Sequence, residues 1–200
     1  MARPKTHDEG LRRTLLDRAA GLVFDAGVAA LSLRRLAAAA DTSTTAVYSL
    51  FGNKAGLLDS LYQEAARRFA ARLATVAMSD DPVEDIVALG IAYRDYALGE
   101  PHLYTIMFAH RTGEEDAEDA ADNEAAKTIE PLVAAVVRGQ AAGRLADVPA
   151  ELIALSCWGV AHGLVSIELT GRVPSGLDVA AGYEQALRAM VIGWGHPIGW

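Results

Sequence analysis

Thr44, Thr45 and Ser49 place three small hydroxyl side chains within six residues, with Tyr48 among them and Lys54 shortly beyond. On a helix, 44 neighbours 48 and 45 neighbours 49, so the group shares one side. Short hydroxyls and methyls on such a face suit base edges, and a phenol or an ammonium beside them suits phosphate oxygens. Lys54 stands where a helix would begin, so its ammonium and the nearby amides can meet a phosphate together.

The other reactive side chains make poor machinery. Cys157 and His162 are five apart on one expected helix and point to different faces, which spoils a nucleophile–base pair. His102 and His110 lie two turns apart, with no carboxylate at metal-ligand spacing on the same face. No glycine-rich phosphate loop and no serine elbow occurs. A single cysteine excludes an internal disulfide framework and an all-cysteine zinc site. No catalysis, no cofactor and no metal are expected.

The elements that must position the hydroxyls are helices. Thr6-His7-Asp8-Glu9 reads as a capping box. Behind it, Leu11, Leu15, Ala19, Leu22, Val23 and Ala26 form an apolar stripe that Gly27 ends. Ser32 can cap a second helix burying Leu33, Leu36, Ala37 and Ala40. Ser43 can cap a third from Thr44 to Phe51, with Val47 and Leu50 inward and Gly52 as its stop. Asn53 can cap a fourth, from Lys54 towards Val76. Two short helices about three residues apart are the arrangement of a helix-turn-helix.

Further on, Asp81-Pro82-Val83-Glu84 opens a helix ended by Gly99, again with a capping-box pattern, and Pro101 opens another. The acidic run from Gly113 to Glu124 has no apolar anchor and reads as a solvated loop. A helix to about Ala142, in which Pro131 is a kink or the true start, a long one from Asp147–Pro149 through Leu169, and a last one within Leu177–Trp194 complete an all-α chain. No stretch alternates as a strand does.

Charge separates front from rear. The net charge is −8 over 200 residues, yet residues 1–72 hold 11 Lys and Arg against 7 Asp and Glu, and residues 73–200 hold 7 against 19. A front of +4 and a rear of −12 suggest two modules with different partners. Met1 to Gly10 is polar, with no apolar region of a secretory signal behind it, so the cytoplasm is the expected compartment. The most apolar stretch, Leu152 to Ile167, is short for a membrane span and reads as a buried helix.

The run from Leu31 through Ser32, Arg34, Arg35, Asp41, Thr44, Thr45, Tyr48, Ser49 and Phe51 to Lys54, followed by Leu57-Leu58, resembles the DNA-binding segment of the TetR (tetracycline repressor) family. Its Tyr-x-x-Phe-x-x-Lys ending is the most specific part. Asp41 departs from the glycine usual in the turn, Thr42 from a small aliphatic residue and Leu50 from a frequent aromatic. Asp tolerates the left-handed conformation better than most residues, so the turn survives. The resemblance implies phosphate contacts from Ser32, Tyr48 and Lys54, base contacts from Thr44, Thr45 and Ser49, and either role for Arg34 and Arg35. It also implies a DNA-binding domain over 1–54, with a linking helix from 54, and a helical ligand-binding and dimerisation domain over 55–200. Trp158 with His162-Gly163 resembles one C-terminal subtype, marked by a Trp followed by His-Gly, and Pro101 to Phe108 fits the same subtype.

The rear offers two features of its own. Ser156, Gly159 and Gly163 are small residues at helical spacing, suited to a symmetric helix-pair interface or to packing inside the chain. Tyr93, Tyr96, Tyr104, Met107, Phe108, Trp158 and His162 would line an apolar pocket with a few polar handles, or form core. The expected protein is a ligand-responsive regulator, a repressor by family norm, that binds palindromic operator DNA as a homodimer and is released by a small apolar or aromatic effector. The rival reading is a helical protein-interaction module that uses its acidic run and binds no DNA.

Overall fold

The computed structural model describes residues 5–108 and 118–195, and among them contains helices and no strand. In chain order these are α1 (Lys5–Ala26), α2 (Leu33–Ala39), α3 (Thr44–Phe51), α4 (Lys54–Leu73), α5 (Pro82–Gly99), α6 (Pro101–Phe108), α7 (Glu118–Ala141), α8 (Ala150–Leu169) and α9 (Val179–Gly193), with a 3-10 turn at Val28–Ala30. Two compact units result: Met1–Arg67 with His102–Glu114, and Arg68–Pro101 with Glu115–Trp200.

In the first unit α1 buries Leu15, Leu16, Ala19, Ala20 and Val23, a broader face than the expected stripe, whose Ala26 is exposed. α1 is already helical at Lys5, so Thr6 does not stand at its N-cap. The next three caps are as the sequence suggests. Ser32 accepts from the Arg35 amide and Ser43 from the Ala46 amide, both at 3.1 Å, and Asn53 Oδ1 accepts from the Gly56 amide at 2.9 Å. Each satisfies an N–H that a helix start leaves open, typically worth about 1 kcal/mol. Asp41 bridges α2 and α3 at φ 49°, the left-handed position expected of it.

α2 and α3 have 7 and 8 residues and cannot cover their own apolar sides. Leu36 and Val47 instead share one buried core with Leu57, Leu61 and Ala65 of α4 and with Leu103 and Ile106 of α6. The first unit therefore extends past the expected division at 54/55. So small a domain needs the extra helices to build a core.

In the second unit α5 packs against α7, α8 and α9, and α8 packs against α7 and α9. Pro82 opens α5, and the Asp81 carboxylate accepts from the amides of Val83 and Glu84. Glu84 does not complete the expected capping box. Its carboxylate is held by Arg188 of α9, which also pairs with Glu184. Asp85 is buried at 2% exposure, and burial alone would raise its pKa. Bonds from the Ser79 amide and hydroxyl, both 2.8 Å, and from Arg138 at 2.7 Å outweigh that and hold its carboxyl below the ordinary range.

α7 begins at Glu118, so the rear half of the acidic run is helix rather than loop, and Pro131 lies inside it rather than at its start. Ala and Glu are good helix formers, and lack of apolar anchors does not argue against helix itself. Residues 113–117 of that run, and His110, lie outside the described residues.

Candidate functional site

α3 carries the candidate surface. Val47 and Phe51 point inward at 0% and 6% exposure, and Leu50 is half-buried against the same core. The opposite side leaves Thr45, Tyr48 and Ser49 exposed and Thr44 half-buried. Tyr48 is 54% exposed, with its ring partly out in solvent. Polar groups on a short, rigidly capped helix with an apolar back have the chemistry for reading base edges in a major groove.

Ser32, Arg34 and Arg35 stand exposed at the start of α2. The Ser32 oxygen is occupied as a cap, and its hydroxyl hydrogen stays available to a phosphate oxygen. Lys54 is half-buried, and its Nζ donates to the Ala29 carbonyl at 3.4 Å, a long bond to an exposed turn that a phosphate could displace.

Three further features hold this region together. Gly52 ends α3 at φ 72°, a stop that was expected, but Gly56 is the tighter constraint. A Cβ there would lie 2.3 Å from the Phe51 carbonyl oxygen, so α4 can start this close to the end of α3 only with glycine. Arg12 of α1 donates to the Leu50 carbonyl at 3.4 Å. α6 supplies core to this unit from beyond residue 100. The Gly56 spacing is visible in the sequence, whereas long-range partners are not.

The seven candidate effector contacts fall in both units. Tyr104, Met107 and Phe108 lie in the first, with Tyr104 buried, its ring 4.9 Å from that of Phe108, and Met107 against the core. Tyr93, Tyr96, Trp158 and His162 lie in the second. There the Tyr93 hydroxyl and His162 Nδ1 are 2.9 Å apart, the Trp158 ring is 6.0 Å from His162, and Phe69 packs 5.2 Å from both Tyr93 and Tyr96. Burial pushes the His162 imidazole below its ordinary value, so the ring is neutral near pH 7.

Cys157 is held as a neutral thiol near pH 7, a poor nucleophile. Burial pushes its thiol up to about 12, and its sulfur lies 3.7 Å from that of Met190. No group of three or more His, Cys, Asp or Glu suited to a metal occurs among the described residues.

α8 is long and apolar enough to cross a membrane by length and composition, yet only 28% of its apolar window is buried within the chain. Ile153, Ala154, Cys157, Ala161 and Val165 face inward. Leu152, Leu155 and Ile167 are exposed, with Leu155 at 53%. Between them run Ser156, whose hydroxyl donates back to the Leu152 carbonyl, Gly159 and Gly163. A Cβ at either glycine would meet nothing within 4 Å.

Comparison with known proteins agrees with both halves. Residues 15–61 match the family model of bacterial regulatory proteins of the tetR family, and residues 86–190 match the tetracyclin repressor-like C-terminal domain. Among solved structures, a Rhodococcus protein with unknown function is 28% identical, with TM-score 0.80 over 93% of this chain and 96% of its own. The TetR family transcriptional regulator PfmR from Thermus thermophilus is 20% identical, with TM-score 0.74 over 90% and 97%. NalD, the secondary repressor of the MexAB-OprM multidrug efflux pump in Pseudomonas aeruginosa, is 23% identical, with TM-score 0.72 over 96% and 100%. At such identities the last two show a common fold. No curated protein matches the sequence.

Proposed function

Since the chain belongs to the TetR family of DNA-binding transcription regulators, and is not an enzyme, we propose that it works as a homodimeric repressor released by a small effector. The reading without DNA binding is set aside with the family membership. One observation carries the dimer: the open side of α8, where Leu152, Leu155 and Ile167 flank glycines that no neighbour in the chain crowds. Apolar area of this kind is costly in water, and glycines let a second helix approach closely. α9 adds Ile192 at 56% exposure. The expectation of a buried α8 within one chain gives way to a helix whose apolar window is only 28% buried there, and whose open side, in this reading, takes a copy of itself. A dimer presents two recognition helices at a fixed spacing, which a palindromic operator mirrors. With DNA as the target, the cytoplasm is the compartment we infer.

In this reading Thr44, Thr45 and Ser49 contact bases, Ser32, Tyr48 and Lys54 contact phosphates, and Arg34 and Arg35 take either role. Tyr93, Tyr96, Trp158 and His162 contact the effector, and the Trp158–His162–Gly163 run marks the C-terminal subtype. The neutral Tyr93–His162 pair favours an uncharged, largely apolar or aromatic molecule with one polar handle. Such a ligand releases DNA only if it binds the DNA-incompetent arrangement better. A coupling of about 1–3 kcal/mol gives roughly 5- to 150-fold relief.

The test is light scattering at micromolar concentration together with a gel shift on a duplex enriched from a randomised pool. A dimer that shifts a palindrome is expected. A monomer, or enrichment of a single asymmetric half-site, would refute the dimeric reading.

A further inference from the structure

We propose that Arg12 is a positioning residue for DNA recognition: from α1 it grips the C-terminal end of α3 and so sets the angle at which that helix meets DNA. The inference rests on the reading of α3 as the recognition helix.

A helix leaves its last four carbonyls without intrahelical partners. In α3 the turn that follows takes two of them. The Gly52 amide bonds the Tyr48 carbonyl and the Asn53 amide bonds the Phe51 carbonyl, both at 2.8 Å. The Leu50 carbonyl receives Arg12 Nη1 at 3.4 Å, across 38 residues of sequence. The same guanidinium lies 5.1 Å from the centroid of the Phe51 ring, within reach of a cation–π contact. It therefore holds two successive residues at one helix end, one through the backbone and one through the side chain. A cation is also favoured there by the negative end of the helix dipole.

The neighbours leave Arg12 to this task. Glu64 of α4, which lines one surface hollow with Arg12, is engaged by Arg67 through two bonds of 2.8 Å. Arg12 is half-buried, whereas Arg34 and Arg35 are exposed. Its position beside an 8-residue helix matters because so short a rod has little contact area to hold its direction. Ser43 fixes the N-terminal end locally, through its cap. Arg12 ties the other end to a different helix. When the tied end slips, the axis of α3 tilts, and Thr44, Thr45 and Ser49 tilt with it relative to the base edges.

The experiment uses the full chain, a duplex enriched by the wild type from a randomised pool, and a scrambled duplex of the same composition, each titrated with salt. Arg12→Met keeps the apolar stem and removes the guanidinium. Arg12→Lys restores a cation that can reach the carbonyl. Arg12→Met is expected to bind the enriched duplex about tenfold more weakly, the scrambled duplex as the wild type does, and with unchanged salt dependence. Arg12→Lys should recover most of the loss. Equal weakening on both duplexes, with a salt slope lower by about one, would make Arg12 a phosphate contact and overturn the proposal. So would wild-type affinity in Arg12→Met. Should Arg12→Met fail to fold, Phe51→Leu removes the ring while keeping an apolar core residue, and selective loss on the enriched duplex is expected again. Equal affinity to wild type there overturns the proposal. If the wild type enriches no duplex at all, the recognition reading itself fails and the proposal falls with it.

Discussion

The exposed sides of α3 and α8 differ in kind. α3 hides Val47 and Phe51 and shows hydroxyls, while α8 hides Ile153, Cys157 and Val165 and still shows Leu152, Leu155 and Ile167. Both helices are amphipathic in the sense that each has a core side. What differs is the second side, and the proposed partners differ with it. A hydrated, charged duplex is met by groups that exchange water for phosphate and base-edge bonds. Another apolar helix is met by surface that gains from leaving water. The charge division follows the same line, with the basic excess in residues 1–72 and the acidic excess behind it.

The comparison can be broken most sharply at α8. Leu155→Glu places a charge in the middle of the open apolar side, where the leucine is 53% exposed. The proposed dimer should dissociate, and affinity for the enriched duplex should fall by about a hundredfold or more. Light scattering and a gel shift read the two effects, and a dimer of unaltered affinity would show that this face has no partner.

Next in size is Thr45→Ala, on the polar side of α3. It should cost about 1–3 kcal/mol on the enriched duplex and little on a scrambled one. Similar losses on both would turn Thr45 from a reader of bases into a phosphate contact or scaffold.

Lys54→Ala should weaken all duplexes alike and lower the salt slope by about one. Binding that keeps its full salt dependence would mean that Lys54 stays with the Ala29 carbonyl in the complex.

The smallest effect concerns the second unit and pH. Because burial lowers the His162 pKa in the folded chain, the unfolded chain binds that proton more readily. Stability from this group is complete above the ordinary histidine value, about 6.5, and is lost as pH falls through the lower folded value. The thermal midpoint should drop on acidification across that window, and His162→Gln should flatten part of the drop. An identical pH profile in the variant would place the titration elsewhere.

Much of the first unit is legible residue by residue because its signals are local. The caps at Ser32, Ser43 and Asn53, the turn at Asp41 and the stop at Gly52 each act on backbone within a few positions, and the structure has them as the spacing predicts. Caps and turns satisfy particular N–H and C=O groups nearby, so sequence order is enough to locate them. The helical class and the polar side of α3 follow from the same short-range rules.

Long-range partners obey no such order. Nothing near Glu84 foretells that Arg188, 104 residues away, claims its carboxylate from the expected capping box. α6 joins a core that ends, by chain order, some forty residues earlier, because two short helices need apolar cover and any segment that reaches them can supply it. Pattern alone also misjudges α8. A continuous apolar run looks buried, and only the packing of α7 and α9 around one side reveals how much of the other stays open. Residue types and periodicity settle that the chain is helical, where α2 and α3 start and stop, and that α3 has a wet side. Which faces meet, and which stay open, depends on contacts between residues far apart in the chain, whose energies arise only once the helices have packed.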